Sequence, residues 1–439
     1  MRTTETCESL MCLLLKHNCT KFISQTKEST YIFKMLYSQI KTSYETLEQL
    51  KLENPNFYDL KIVKIDNPSQ IPKAKTLDVS DIPHEIISHI NAKSYFALTF
   101  TINLIDTSLT AHFVIEKTDT DIDLNHEPNI TGFKRYVDNM LLWILFSRQH
   151  LSNLNCGKGL TVFIYMSSLT KHIPSHSHTA IGRSNVNTGF TLTCPLTTPE
   201  IVIFRKEEWF KVFIHETFHN FALDFSKMKS EKISSQLREI FHIKSQVLLF
   251  ESYTEFWAKI INILICSFRL LDVYTDRGHF LKNVRFLMNY ERIFCIFQMC
   301  KILKYHGLRY TDLYENPAVS DIYKEDTNVF AYFVICVILL NEYPSFLKWC
   351  YTHNGYSKLM QFTQTEENQD AFMLYIKSKY KSAKLFDGIN CSSQILRKFI
   401  HTKHLLERKR KLSKRNTNLL RELKYILTNT KLSLCEFTF

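Results

Sequence analysis

From Leu248 the chain runs Leu248-Leu249-Phe250-Glu251-Ser252-Tyr253-Thr254-Glu255-Phe256-Trp257-Ala258 and continues through Ile260, Ile261, Ile263, Leu264 and Ile265. As a helix this stretch is apolar on nearly every side, which requires burial. Yet Glu251 and Glu255, four residues apart, share one face of it. An unpartnered carboxylate buried there costs several kcal/mol. Any fold this chain adopts must therefore bring something cationic to that face. Two candidates are a Lys or Arg in an ordinary buried ion pair, and a metal ion with the N–H groups of its histidine ligands.

The second candidate has a source in Val212-Phe213-Ile214-His215-Glu216-Thr217-Phe218-His219-Asn220-Phe221, an H-E-x-x-H pattern in an apolar helix. Four-residue spacing puts His215 and His219 on one face, where two ring nitrogens can meet one cation, and Glu216 lies beside them. The bland alternative is a pair of core histidines satisfied by hydrogen bonds. Zinc suits this set because it lowers the pKa of bound water to about 7. An adjacent carboxylate can take that proton and pass it to a leaving amine. On this reading one zinc ion is held by His215, His219 and Glu251, Glu216 is the general base, and Glu255 accepts an N–H from a ligating histidine. An exchange of roles between Glu251 and Glu255 stays open.

These two segments resemble the gluzincin clan of zinc metallopeptidases, in which H-E-x-x-H on one helix is completed by a Glu on a later one. Val212, Ile214, Thr217, Phe218, Asn220 and Phe221 suit the clan pattern, and Glu251-Ser252-Tyr253-Thr254-Glu255 is similar to its acid-x-x-x-acid continuation. The resemblance covers roughly residues 159–265. The gap of thirty-one residues between His219 and Glu251 is longer than in thermolysin-like enzymes. The resemblance implies a zincin-like core, with a mixed sheet, an active-site helix and a Glu-bearing helix, acting on a polypeptide substrate. It also implies an edge strand that pairs with that substrate, for which Asn187, Thr188, Gly189 and Phe190 are the candidates, and an oxyanion-stabilising Tyr or His downstream. Tyr253, Tyr274, Tyr290, Tyr305 and others leave that last choice open.

Patterning around the motif predicts an α+β region followed by an all-α one. Tyr95 to Lys117 reads as a strand hairpin about Asp106-Thr107-Ser108, Gly132 to His150 as a helix, and Gly159 to Met166, Asn185 to Thr193 and Ile201 to Arg205 as extended segments. Beyond Lys206 helical spacing dominates. The expected divisions are an N-terminal region of uncertain fold (1–90, with an amphipathic patch at Tyr31 to Leu50), a metallopeptidase core (91–270), a helical domain (271–395) and a basic helical tail (396–439).

At 439 residues, with 33 Phe and 21 Tyr, the chain can bury a large core without staples. Its twelve cysteines form no C-x-x-C pair, which predicts a reducing compartment. No secretion signal is read, and the longest apolar run, Val329 to Leu340, is shorter than the ~20 residues of a membrane-spanning helix. A cytoplasmic location is expected, with a nuclear one as the alternative. The Lys-, Ile-, Asn- and Phe-rich composition resembles proteins of AT-rich genomes, including large DNA viruses that replicate in the cytoplasm.

Of the net charge of +12, the stretch Arg397 to Lys424 carries +9. Arg408, Lys409, Arg410 and Lys411 at its centre support an alternative function, a catalytically silent zincin scaffold that binds nucleic acid or another acidic partner. Retention of Glu216 favours the enzyme, because a scaffold needs only the ligands. A second histidine group, His172, His176 and His178, lies in a Ser- and Pro-containing segment without a neighbouring acid. It reads as a solvated loop, a second metal site or a wall of the cleft.

Overall fold

The computed structural model describes residues 2–15, 22–117, 127–176 and 179–438. Its centre is a six-stranded mixed sheet, so the molecule is α+β, as the strand signals predict. In chain order the strands are β1 (Arg2–Thr3), β2 (Asp59–Lys64), β3 (Ser94–Asn103), β4 (Ser108–Glu116), β5 (Leu160–Tyr165), β6 (Gly189–Thr191), β7 (Glu200–Ile203) and β8 (Phe437–Thr438). The large sheet is ordered β2-β3-β4-β5-β7-β6, while β1 and β8 form a separate pair. β4, β5 and β7 run parallel, and β2, β3 and β6 are antiparallel to their neighbours.

Period-two alternation explains the two faces of the sheet. Leu109, Ala111, Phe113 and Ile115 of β4, with Leu160, Val162 and Ile164 of β5, enter the main core. Phe163, Tyr165, Val202 and Phe204 point the other way, into a smaller cluster capped by Ile86 and Ile90 of the helix His84–Lys93. The predicted hairpin is β3–β4, in register from Asn103/Ser108 onward. The predicted helix after it spans Glu127–Arg148 and carries the chain from β4 to parallel β5.

In the N-terminal ninety residues the amphipathic patch forms the helix Lys27–Glu53. Thr26 and Ser29 cap it reciprocally, and Ile32, Phe33, Leu36, Ile40 and Leu47 are its buried stripe. After β7 the chain is helical almost to its end. The motif helix Trp209–Asn220 lies against β6 and β7, and the glutamate helix Leu249–Arg269 crosses it and continues into Arg277–Tyr305. One apolar cluster runs from Cys7 to Cys435 and takes residues from all four stretches that patterning separates.

The charge pattern predicts a helical tail, but helix ends at Thr428. Asn429 to Cys435 then turn inward and are buried. Their backbone groups find acids instead of helix partners: Glu208 accepts from Leu432 N (3.2 Å) and Ser433 N, and Glu291 from Leu434 N (2.9 Å) and Cys435 N (3.1 Å). Cys156 and Cys194 are joined as a disulfide, a departure from the fully reduced set that cysteine spacing predicts; pairs 38 residues apart leave no local motif. Among the described residues no single helix is long and apolar enough to cross a membrane. The bent pair Ala331–Asn341 and Tyr343–Asn354 passes by length and composition, with a 91° angle between its halves.

Candidate metal centre

The motif helix begins under constraint. Its N-cap, Glu208, has φ 60°, a left-handed conformation unusual for a residue with a side chain. Burial opposes charge on its carboxylate, but Lys171, Lys211 and Lys431 outweigh that and hold its pKa down to about 2. An anion at a helix N-terminus is also favoured by the helix dipole. At the back of the helix, Trp143 donates to Thr217 Oγ1 (2.5 Å) and stacks on Phe218.

This placement brings His215, His219 and Glu251 together on the side facing the glutamate helix. His215 Nε2 lies 3.2 Å from His219 Nε2 and 3.2 Å from Glu251 Oε2, and the third edge of the triangle, His219 Nε2 to Glu251 Oε2, is 3.5 Å. Each is buried or nearly so. Donor atoms placed tetrahedrally about ~2.1 Å from a shared ion are about 3.4 Å apart, so the triangle fits a zinc-sized cation. Among the described residues this is the one cluster of that kind.

The opposite ring nitrogens are anchored. His215 Nδ1 lies 3.0 Å from Glu255 Oε2, and His219 Nδ1 meets Asp224 Oδ2 at closer range. A carboxylate accepts only, so it draws the imidazole proton to Nδ1 and leaves Nε2 with a lone pair turned to the centre. Burial disfavours charge on both rings, yet the surrounding carboxylates prevail and hold both above the ordinary imidazole range. Glu251 is held below the usual carboxylate range against its burial, chiefly by His219 and His215.

Glu255 satisfies both readings open from sequence. It orients His215, and it is also ion-paired to Lys211 (3.0 Å) and Lys259 (3.3 Å). Asp224 is in turn fixed by Ser226 N (3.0 Å), Ser226 Oγ (2.8 Å) and Thr254 Oγ1 (3.3 Å). The cluster thus holds four buried carboxylates, Glu216, Glu251, Glu255 and Asp224, against two buried lysines. Two imidazolium charges balance this set when no cation is present, and a divalent cation held by the triangle would take the place of those two protons.

Glu216 lies beside the donor triangle with 6% of its surface exposed, and burial raises its pKa. Its carboxylate makes no hydrogen bond among the described residues, which leaves it free to exchange a proton. Facing it is Gly189 of edge strand β6. A Cβ at Gly189 would come within 2.9 Å of Val212 Cγ1 and 3.2 Å of Glu216 Cγ, so the strand approaches the motif helix this closely only with glycine there.

The other edge-strand candidates divide. Asn187 Oδ1 accepts from Thr327 Oγ1 (3.0 Å), while Thr188 is buried and Phe190 packs on Phe204 in the smaller cluster, on the far face from the motif helix. Of the four, Gly189 is the one whose backbone lies against Glu216.

Three contributors escape sequence reasoning. Asp224 is a lone acid in the apolar run Phe221 to Phe225, and the burial argument used for Glu251 would have found it. Tyr332, on a π-helical turn (Ala331–Ile335), donates to Glu251 Oε2 (2.9 Å), and Asn328 Nδ2 donates to Glu251 Oε1 (3.0 Å). Neither has a local signal. Tyr253, a sequence candidate for the oxyanion role, instead donates to Met360 O.

No protein-family model, curated protein or solved structure matches the chain. The site therefore stands on its own geometry.

Among the described residues the rival histidines form no second cluster of donor atoms. His172 bonds Thr170 Oγ1 (2.7 Å) and Thr428 Oγ1 (3.0 Å). With His176, Arg205 and Asp326 it lines a cavity of 600 Å³, and His178 lies outside the described residues. Arg408, Lys409, Arg410 and Lys411 form the exposed turn between the last two helices, and none is in an ion pair among the described residues.

Proposed function

We propose that this protein is a zinc-dependent peptidase of gluzincin type, with His215, His219 and Glu251 as metal ligands. The observation that carries the reading is the donor triangle with both outer imidazole nitrogens anchored by acids. Bound zinc would supply Lewis acidity, making water nucleophilic near neutral pH. The residues account for the remainder. Glu216 takes a proton from the attacking water and delivers it to the amine as the peptide C–N bond breaks. Tyr332 donates its one hydroxyl proton to Glu251 Oε2 (2.9 Å); turned from that oxygen toward a bound peptide, the same hydroxyl would donate to a carbonyl oxygen gaining charge. β6 offers its open edge to an extended peptide, since its pairing with β7 occupies one edge only.

The test is metal analysis followed by turnover. Purified protein should carry one zinc per chain, lost in His215→Ala and His219→Ala. Glu216→Gln should keep the metal and cleave a peptide library about 10²–10⁴-fold more slowly than wild type. No stoichiometric zinc would defeat the proposal.

The exposed basic turn supports a second reading, a silent scaffold that binds nucleic acid or an acidic partner. It would be favoured if wild type and Glu216→Gln both bound zinc and neither cleaved any peptide.

A further inference from the structure

The C-terminal end of the motif helix is tied to the one disulfide among the described residues. The carbonyl of its last residue, Asn220, is among those that a helix cannot bond internally. Cys194 N donates to it (3.1 Å), and Asn220 Nδ2 donates back to Thr191 Oγ1 (3.0 Å) and Leu192 O (3.4 Å). Cys194 is bonded to Cys156, which lies just before β5. Beside Cys156, Gly157 has φ 70° and comes so close to the Phe221 ring that a Cβ there would stand 2.0 Å from it. The disulfide therefore clamps together two segments that both rest on the end of the motif helix.

From this clamp a line of hydrogen bonds leads to a proposed ligand. Thr193, next to Cys194, has its Oγ1 2.9 Å from Ser226 Oγ. Ser226 gives its own hydroxyl proton to Asp224 Oδ1 (2.8 Å), so Thr193 is the donor between the two hydroxyls. Ser226 N also donates to Asp224 Oδ1 (3.0 Å), and the other oxygen of Asp224 holds His219 Nδ1. The His219 ring is thus positioned by an acid whose support reaches back to the residue beside the disulfide.

Two features suit this bond to thiol exchange. Cys156 and Cys194 line a cavity of 460 Å³ together with Lys227 and Lys358, and a nearby lysine favours the thiolate in which sulfur attacks or leaves. Cys194 also has φ 44°, a left-handed backbone that a residue with a side chain seldom adopts. Once the bond is cut, Cys194 can leave that conformation and carry Thr193 with it.

We infer that Cys156 and Cys194 form a redox switch on metal affinity: oxidised, they keep His219 oriented and the ion tightly held, and reduced, they loosen both. This rests on the zinc site proposed above. The reductant is a small thiol. One thiolate attacks a sulfur of the disulfide, and the other half-cystine leaves as a thiolate and takes up a proton. A second thiol molecule then resolves the mixed disulfide. Two electrons and two protons pass to Cys156 and Cys194, and the two reductant molecules end as one disulfide. Coupling is reciprocal, so zinc in turn protects the disulfide from reduction.

Zinc affinity is measured by competition with a chromogenic chelator, on the full chain with its fold checked by circular dichroism. Against disulfide-bonded wild type, Cys156→Ser/Cys194→Ser is expected to bind zinc about 10-fold more weakly. Thr193→Val, which leaves the disulfide intact, should weaken binding by a similar factor. In an Asp224→Ala background, removing the disulfide should have no further effect. For wild type in a glutathione redox buffer, saturating zinc should lower the midpoint potential of the disulfide by ~30 mV, the equivalent of a factor of ten. Thr193→Val and the potential carry the test without any change to the cysteines. Undiminished affinity in the Cys156→Ser/Cys194→Ser or Thr193→Val variants, an unshifted potential, or a full further loss in the Asp224→Ala background would overturn the switch and leave the zinc site standing. No zinc bound by any form would overturn both.

Discussion

The imidazole of His219 is held by Asp224, five residues further along the chain: its Nδ1 bonds the Asp224 carboxylate, whose own oxygens are fixed by Ser226 and Thr254. The same ring turns its Nε2 toward His215 and Glu251. Removing the outer acid should therefore act on the metal without touching a ligand. Asp224→Ala is expected to weaken zinc affinity about 10–100-fold, measured by competition with a chromogenic chelator. Unchanged affinity would mean that the ring is positioned by packing alone.

Tyr332 reaches the same carboxylate as the histidines but is not a ligand in the proposed site. Tyr332→Phe should keep stoichiometric zinc and lower kcat about 100-fold, with a much smaller change in KM. A rise in KM at unchanged kcat would assign the hydroxyl to ground-state binding.

Glu325 makes stability depend on pH. Burial is the leading cause of its pKa being raised to about 7, against hydrogen bonds from Phe330 and Tyr323 that favour the charged form. Between about pH 4.5 and 7 the folded protein keeps a proton that the unfolded chain releases. Stability should fall as pH rises through that window and level off above it, by up to about 3 kcal/mol. Glu325→Gln should flatten this part of the profile in thermal unfolding from pH 5 to 8. The same slope in the variant would place the titration elsewhere.

The exposed turn Arg408 to Lys411 has a charge-specific test. Binding of a duplex oligonucleotide should weaken as salt rises, with a slope of about −0.9 per phosphate neutralised. Changing all four residues to Ser should make that slope shallower by about 3–4. An unaltered slope would show that the turn makes no phosphate contacts.

Much of the secondary structure was legible because it follows from period. The β3–β4 hairpin, β5, β7 and the amphipathic helix Lys27–Glu53 each carry their alternation or 3.6-residue stripe in a short window. β2 was not legible, since Asp59–Lys64 is exposed or half-buried along its length and shows no apolar stripe. The turn inward at Asn429 was masked by the basic run before it.

For the candidate site, the sequence by itself determined that His215 and His219 share a helix face with Glu216 beside them, and that Glu251 and Glu255 need cationic company. Helical spacing and the cost of burying charge are local quantities, readable residue by residue. Only the tertiary structure decided which partners answer that need: Glu255 meets His215 and two lysines, Asp224 anchors His219, and Tyr332 and Asn328 arrive from some eighty residues away. Such contacts depend on how helices cross and where loops return, and a chain's local pattern carries no record of distances between segments that meet only on folding.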